Sequence, residues 1–411
     1  MKRKIIVRLG VPLLAIVAAV IGLRALSQIA SAQGARQVPL FQVDSGFFKI
    51  PNNWVTGQGS AVGVDKHDNI WIIHRPRYIP AEKRAQAAPP VLEFDSTGKF
   101  LQAWGGPSDA YDWPDQEHSV YPDPDDHIWI SGSARPALAG PGDRVLRSDN
   151  MLLKFDNKGK LLMQIGKRDT STGNNDTKNV YSATDLHVYP KTNELFVSDG
   201  YINKRVIVFD KDTGAFKRMW GAFGNVPMDS PDMLKNARTP PAPRPARGAA
   251  PAAADGAAPA ARGNAQPPPC CTDPGPQQFV GAVHGIKVSN DGMVYVADRS
   301  ANRVQSFTVD GKYQKQLLVH GPAGLALSSD PQQQFLYVVD MGGSKIVVVD
   351  RKSLQILYQF GNRGAAPGEF QGVHMIAIDS KGNLYTAEAE PGNRWQKFLF
   401  KGLGPAPTST Q

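Results

Sequence analysis

The chain has 411 residues, including 40 glycines and 33 prolines, and a formal net charge of +9. This length suffices for one large domain or two ordinary ones. The glycine and proline content, with no helical heptads, argues against a helical bundle and favours many short strands joined by turns. Nucleic-acid binding is not expected, because the chain has no basic stripe with interleaved aromatic residues.

Residues 1–32 have the layout of a secretory signal. The basic segment MKRKIIVR precedes the apolar segment LGVPLLAIVAAVIGL, and small residues precede a cleavage point after Ala32. We therefore predict a periplasmic or secreted protein with no stable membrane insertion after cleavage. The alternative is an uncleaved anchor, since the apolar segment could be extended toward a span. Five of the 46 basic residues and no acidic residue lie in this leader, so the mature chain carries only +4.

From residue 33 onward, one phrase recurs six times: an apolar strand, a polar turn and a strand bearing an aromatic residue. Its versions include AVGVDKHDNIWIIH, HSVYPDPDDHIWIS, HGIKVSNDGMVYVAD and HMIAIDSKGNLYTAE, followed by partner strands such as VLEFDSTGKFLQAWG. Alternation of period two predicts a four-stranded antiparallel sheet for each unit. Radial stacking of six such sheets buries their faces and protects their edges. We predict an all-β, six-bladed β-propeller over 33–411; a sandwich or barrel would not account for the sixfold phrase.

The last unit and two insertions depart from this pattern. The sixth unit runs out after WQKFLFKG, so we predict that an N-terminal strand completes it, and the candidate is LFQVDSGFFKI, residues 40–50. The first unit carries the insertion HRPRYIPAEKRAQAAPP. A second insertion at about 227–278 is rich in Ala, Pro and Gly, and we predict that it is disordered. It contains the two cysteines of the chain, Cys270 and Cys271, whose adjacency prevents them from joining distant strands.

Three histidines share one position in alternate units, 11 residues before the aromatic residue of the second strand: His118, His284 and His374. The equivalent position in the other units holds Ser60, Thr184 and about Ala323. Innermost strands line the channel of a propeller, so the three imidazoles should converge on its axis. Three histidines with an open fourth position form a catalytic zinc site. Taken singly, each would be an ordinary turn or channel histidine.

Three further side chains follow second strands and should lie near the same channel mouth. Arg75 ends IIHR in the first unit, Tyr201 follows VSDG in the third, and Arg299 follows VAD in the fourth. Guanidiniums can grip a carboxylate in bidentate fashion, and a phenol can transfer protons. The alternative for each arginine is a charge on a surface hairpin.

These phrases resemble peptidyl-α-hydroxyglycine α-amidating lyase, the second catalytic domain of peptide-amidating enzymes, and its bacterial relatives with NHL-type repeats. The resemblance is most specific at VSDGYINKRVIVF, VHGIKVSNDGMVYVADRSANRVQSF and VHMIAIDSKGNLY. It implies a six-bladed propeller of NHL type and a zinc-dependent peptidylamidoglycolate lyase. It also implies that zinc is held by the three histidines named above.

The resemblance further implies that Tyr201 is the essential tyrosine and that Arg75 and Arg299 are the active-site arginines. The substrate would be a peptide or small molecule with a terminal carboxylate, cleaved at a C–N bond to an amide and glyoxylate. One departure concerns calcium: Met375 stands where the family has an acidic calcium ligand, which argues against a calcium site. Another is Gly372, which replaces a methionine of the family's substrate pocket.

The sequence leaves two other functions open. A non-catalytic NHL-type propeller would bind a protein or glycan partner and would need no metal. A calcium-dependent propeller hydrolase would need carboxylate and amide ligands around the axis, where this sequence offers histidines.

Overall fold

The computed structural model describes residues 37–136, 146–229 and 273–407. In these ranges, 24 strands form six four-stranded antiparallel sheets. The innermost strands of neighbouring sheets contact one another in a closed ring around a central channel. The protein is therefore an all-β, six-bladed propeller, which confirms the fold expected from the sequence.

The strands are numbered β1 to β24 in chain order, and each blade is described from the channel outward. Blades one and two contain β2 to β9: Gln58–Val64, Ile70–Arg75, Val91–Phe94, Phe100–Trp104, Glu117–Pro122, Ile128–Gly132, Met151–Phe155 and Leu161–Gly166. Blades three and four contain β10 to β17: Ala183–Tyr189, Glu194–Asp199, Arg205–Asp210, Phe216–Trp220, Val283–Val288, Met293–Asp298, Arg303–Thr308 and Tyr313–Leu318. Blades five and six contain β18 to β24 and, at the outer edge of blade six, β1: Pro322–Leu327, Phe335–Asp340, Lys345–Asp350, Gln355–Phe360, Val373–Ile378, Leu384–Glu388, Arg394–Pro405 and Gln37–Asp44.

Helix in the described ranges is confined to short 3₁₀ turns: Pro76–Tyr78, Ala81–Gln86, Ala222–Gly224 and Arg299–Ala301. The first two lie in the first-blade insertion, between β3 and β4. Among the residues described, no helix is both long and apolar enough to cross a membrane. The leader 1–32, Cys270, Cys271 and most of the insertion at 227–278 lie outside the described residues.

An N-terminal strand closes the ring, as the sequence predicts. β1 pairs antiparallel with β24, so the sixth blade joins the two ends of the described chain. The predicted bounds of 40–50 are wrong, because the strand begins at Gln37 and ends at Asp44. Phe47 and Phe48 continue the apolar pattern outside the ladder. Their rings pack against each other and against Tyr385, so their burial does not depend on strand pairing.

A buried ion pair recurs at the hairpin between the second and third strands. In blade three, Arg205 Nε donates to Asp199 Oδ2 at 2.9 Å, and both side chains are fully buried. The remaining N–H groups of Arg205 donate to carbonyl oxygens of Asn174, Asp176 and Asn179 in the preceding loop. The Asp and Arg that flank Tyr201 in the sequence are therefore bound to each other and fix the hairpin that carries the phenol.

The same arrangement holds blade four. Arg303 donates to Asp298 Oδ2 at 3.0 Å and to the carbonyl oxygens of Pro274, Pro276 and Gln278, and it is 1% exposed. Removing one partner of such a pair strands the other charge in the interior, which usually costs about 3–5 kcal/mol.

We expect Arg303→Met to lower the free energy of unfolding by about 3–5 kcal/mol, measured by denaturant titration at neutral pH. The control is Lys66→Met, which removes an exposed pair with Asp126 and should leave the unfolding midpoint unchanged. Equal midpoints for Arg303→Met and the wild type would show that the pair does not hold this hairpin.

Candidate metal centre

The three histidines of the sequence prediction meet at the channel. One nitrogen of each lies within 4.8 Å of the others, and all three side chains are buried. The Nε2 atoms of His284 and His374 are 3.1 Å apart. The ring centroids of the three histidines lie 4.6–5.0 Å from one another.

A β-bulge places each of these side chains. The pairing register of the innermost strand shifts between Glu117 and Ser119, and the residue left out is His118. The same shift occurs in blades four and six at His284 and His374. A bulged residue leaves the ladder and its side chain is re-aimed, which makes bulges frequent beside functional sites.

Backbone carbonyls set the tautomers of two of the rings. His118 Nδ1 lies 2.7 Å from Thr184 O, and His374 Nδ1 lies 2.7 Å from Ser60 O. A carbonyl oxygen only accepts, so each Nδ1 carries the hydrogen and each neutral ring presents the lone pair of Nε2 to the cluster. His284 Nδ1 is buried and has no partner among the described residues.

This donor set fits a first-row transition metal. Three imidazole nitrogens suit zinc and its neighbours, and the carbonyl contacts at Nδ1 are the outer contacts typical of metal-binding histidines. Burial lowers the pKa of all three histidines, to about 3 for His374, with further lowering from Arg75 and Arg299. The rings are therefore neutral at neutral pH, as metal ligands must be.

Tyr201 covers this histidine cluster. Its hydroxyl lies 3.3 Å from Nε2 of both His118 and His284. The guanidiniums of Arg135 and Arg299 lie 4.9 and 5.2 Å from the centre of its ring, and Arg299 also donates to its hydroxyl at 3.4 Å. Burial alone would raise the pKa of Tyr201, but Arg299, Arg75 and Arg135 outweigh it and lower that pKa below its usual value of 10.

Arg75 is the most firmly held of the three arginines. Its Nε donates to Glu117 O at 2.7 Å, and its Nη1 donates to Gln58 Oε1 at 3.0 Å. Gln58 in turn donates to Glu390 at 3.2 Å. Neither Arg75 nor Arg299 forms an ion pair with any acidic residue that the structure describes. The arginines beside the histidine cluster therefore carry positive charge that no direct ion pair among the described residues balances, and this charge favours an anionic ligand.

The structure thus brings together the six residues named from the sequence, and it adds Arg135. This residue was missed because it lies in an irregular segment three residues after β7. A signal for it was available, since Arg75, Tyr201 and Arg299 also lie at or just after the end of a second strand. Arg135 has no hydrogen bond or ion pair within the described part of the chain, and its guanidinium packs over the ring of Tyr201.

Below the cluster, the channel contains a cavity of about 200 Å³ with mainly aliphatic walls. Met375, the residue after His374, lines it. The acidic residue in its wall is Asp185, which binds Lys287 at 2.6 Å and accepts from the amide of Ile286 at 3.0 Å. This carboxylate is therefore neutralised by an internal ammonium group.

No protein-family model matches the sequence. Among solved structures, the chain is similar to virginiamycin B lyase from Staphylococcus aureus, with 13% identity and a TM-score of 0.45, covering 88% of this chain and 90% of that one. A streptogramin B lyase structure gives 12% identity and a TM-score of 0.46, covering 88% of this chain and 98% of that one. At these identities and TM-scores, the likeness carries no conclusion about reaction or substrate.

We expect tag-free protein loaded with zinc and freed of excess metal to retain about one equivalent of metal per chain, because three neutral imidazoles converge. His284→Ala should reduce bound metal to a small fraction of that value in elemental analysis. His127→Ala is the control, since it removes the histidine of a separate group with Asp123 and Asp125. Zinc-exposed wild-type protein without bound metal would refute the metal centre.

A second prediction concerns His74, which precedes Arg75 on β3. Its Nδ1 accepts from Gly57 N at 3.1 Å, its Nε2 lies 3.2 Å from Pro89 O, and burial lowers its pKa to about 4. The unfolded chain therefore binds more protons between about pH 6.5 and pH 4, so stability falls as pH falls through that window.

We expect His74→Gln to reduce the slope of unfolding free energy against pH by up to about 1.4 kcal/mol per pH unit in this window. The measurement is a series of denaturant titrations from pH 7.5 to pH 4. His67→Gln removes a histidine that is exposed at the surface and is the control against which the change in slope is compared. An unaltered slope in His74→Gln would contradict the prediction.

Proposed function

We propose that this protein is an exported, metal-dependent lyase that cleaves the C–N bond of a peptidyl-α-hydroxyglycine-like carbinolamide, releasing an amide and glyoxylate. The observation that carries the proposal is the position of the Tyr201 hydroxyl, 3.3 Å from two of three converging imidazole nitrogens and flanked by two guanidiniums. The motif resemblance to peptidylamidoglycolate lyases supports the choice of substrate.

His118, His284 and His374 would hold the metal, for which zinc is the proposed identity. When bound there, the metal supplies Lewis acidity, which lowers the pKa of a hydroxyl group at the site. The remaining requirements fall on the side chains of the protein.

The reaction moves one proton from oxygen to nitrogen. Tyr201, as a phenolate, takes the proton of the substrate hydroxyl while the C–O bond becomes a carbonyl. The electron pair of the breaking C–N bond passes to the amide nitrogen. Tyr201 then returns the proton to that nitrogen, so the products are a primary amide and glyoxylate, and no redox reagent is consumed.

The arginines bind the carboxylate and orient the substrate. Arg299 donates to the Tyr201 hydroxyl at 3.4 Å, and Arg135 faces the ring with no polar partner among the described residues, so both can bind a carboxylate beside the phenol. Arg75 is held by Glu117 and Gln58, and from there it lowers the pKa of Tyr201. Placement of the carboxylate next to the base aligns the hydroxyl for proton transfer.

We expect Tyr201→Phe to lower glyoxylate release from α-hydroxyhippurate by about 10²–10⁴-fold, because loss of the hydroxyl removes the proton-transferring group. The metal content should remain that of the wild type, since the ring and its two arginine contacts are kept. The assay follows glyoxylate with metal-loaded protein at saturating substrate.

The matched control is Tyr121→Phe, which should retain full turnover. Tyr121 is a partly buried channel tyrosine whose hydroxyl accepts from Val188 N at 3.1 Å. Unchanged turnover in Tyr201→Phe would refute the proposed base. A wild-type protein that binds metal but releases no glyoxylate from any carbinolamide would refute the lyase assignment. Absence of both metal and turnover would favour the alternative, a propeller that binds a protein or glycan.

A further inference from the structure

A buried carboxylate at the end of the second strand anchors the channel mouth in two of the blades. In blade three, Asp199 Oδ1 accepts from Tyr181 N at 2.7 Å, two residues before the innermost strand begins. In blade six, Glu388 Oε2 accepts from Gln371 N at 2.6 Å, again two residues before the innermost strand. The carboxylate ties the loop that enters the innermost strand to the residues after the second strand, which in blade three include Tyr201.

Blade two has a glycine at this position. Gly132 pairs with Glu117 at the start of the innermost strand, as Asp199 pairs with Ala183 in blade three. Asp149, at the end of the connection between β7 and β8, supplies the carboxylate instead. A Cβ atom on Gly132 would overlap Asp149 Oδ2. The fully buried carboxylate of Asp149 therefore occupies the volume that a side chain at residue 132 would fill.

The hydrogen bonds of Asp149 reproduce this anchor and add a contact to it. Its Oδ1 accepts from Asp115 N at 2.9 Å, two residues before β6, and its Oδ2 accepts from Gln116 N at 3.1 Å. Oδ2 also accepts from Ala134 N at 2.8 Å, while Asp149 N donates to Ala134 O at 3.0 Å. Bonds from backbone N–H groups to a carboxylate belong to the strong, charge-assisted class.

These bonds fix the segment that carries Arg135. Ala134 directly precedes Arg135, and its carbonyl oxygen also accepts from Ser182 Oγ at 3.3 Å. Ser182 O in turn accepts from Tyr201 N at 3.3 Å. The guanidinium of Arg135 is only partly buried, lies 4.9 Å from the centre of the Tyr201 ring and has no hydrogen bond within the described residues. Its position over the ring therefore depends on the backbone at Ala134, which Asp149 holds.

We propose that Asp149 is a positioning residue, which holds Arg135 against Tyr201 and thereby sets the affinity of the site for a substrate carboxylate. The proposal rests on the proposed function, which assigns that carboxylate to Arg135 and Arg299. Asp149 touches no substrate, because its side chain is fully buried. Loss of its carboxylate should loosen the segment, and a guanidinium that is free to move binds a carboxylate less tightly.

The test is a binding measurement that needs no turnover. N-benzoylglycine and N-benzoylglycinamide have the same acyl group, differ in the carboxylate, and lack the hydroxyl group on which cleavage depends. By calorimetry with metal-loaded full chain, we expect the wild type to bind N-benzoylglycine at least about tenfold more tightly, since hydrogen bonds between charged groups are strong. Equal binding of the two ligands by the wild type would overturn the proposal without recourse to any variant.

Asp149→Asn keeps the shape of the side chain and should lower this preference by about three- to tenfold, because the two residues are coupled. In an Arg135→Gln background, the same substitution should lower the preference no further. The matched control is Asp123→Asn in the same blade. Asp123 is equally buried and accepts from the backbone of Asp125 and His127 in the turn at the other end of β6, so its loss should change stability without changing the preference.

Gly132→Ala tests the same contact with the carboxylate still in the chain. Its methyl group should displace Asp149 Oδ2 and lower the preference in the same direction. A wild-type preference in folded Asp149→Asn would overturn the role of Asp149, and if that variant does not fold, a wild-type preference in Gly132→Ala has the same consequence. A further loss in the Arg135→Gln background would show that Asp149 does not act through Arg135, which also overturns the proposal.

The hydroxylated ligand, α-hydroxyhippurate, separates this proposal from the proposed function. If it releases no glyoxylate while the N-benzoylglycine preference falls in Asp149→Asn as expected, the reaction assignment fails and the positioning role stands. If wild type and Asp149→Asn cleave it with equal kcat/KM and share one preference between the two glycine ligands, the lyase stands and the positioning role fails.

Discussion

The bulge in each innermost strand is the constraint on which the centre depends. It takes one residue out of the hydrogen-bonded ladder near the channel mouth, and in alternate blades that residue is a histidine. In blades one and three it is Ser60 or Thr184, whose carbonyl accepts from a neighbouring imidazole. One sixfold backbone irregularity therefore supplies converging imidazoles and also the carbonyls that orient two of them.

Blade five breaks this alternation. Its register shift spans Ala323 and Gly324, and Ala323 O lies 2.3 Å from the place where a Cβ of Gly285 would stand. The backbone of blade five packs directly against β14 at this point, and this contact is possible because residue 285 is a glycine. Within the described ranges, His284 Nδ1 is left without the carbonyl partner that His118 and His374 have. His284 is therefore the ring whose orientation depends most on its contacts with Tyr201 and the other two imidazoles.

The histidine register could be read from the sequence because the aromatic residue used for alignment is tied to the hairpin turn in some blades, as where Trp129 Nε1 donates to Asp123. Residues outside this repeat were harder to predict from the sequence. Arg135 lies in an irregular segment. The apolar pattern at Phe47 predicted a strand, whereas packing of its ring against neighbouring aromatic rings is enough to bury this side chain. The role of Asp149 could not be foreseen, since this residue lies in the connection before β8, where no periodic pattern predicts its partners.

Closure of the ring by β1 and β24 affects how the protein matures. The blade that this pairing completes also carries His374, while the other two histidines lie in blades two and four. No single blade, and no run of consecutive blades shorter than five, contains all three imidazoles. Such long-range pairing is characteristic of slow folding. A partly folded chain would therefore lack the assembled histidine centre, which would form late in folding, when the propeller is almost complete.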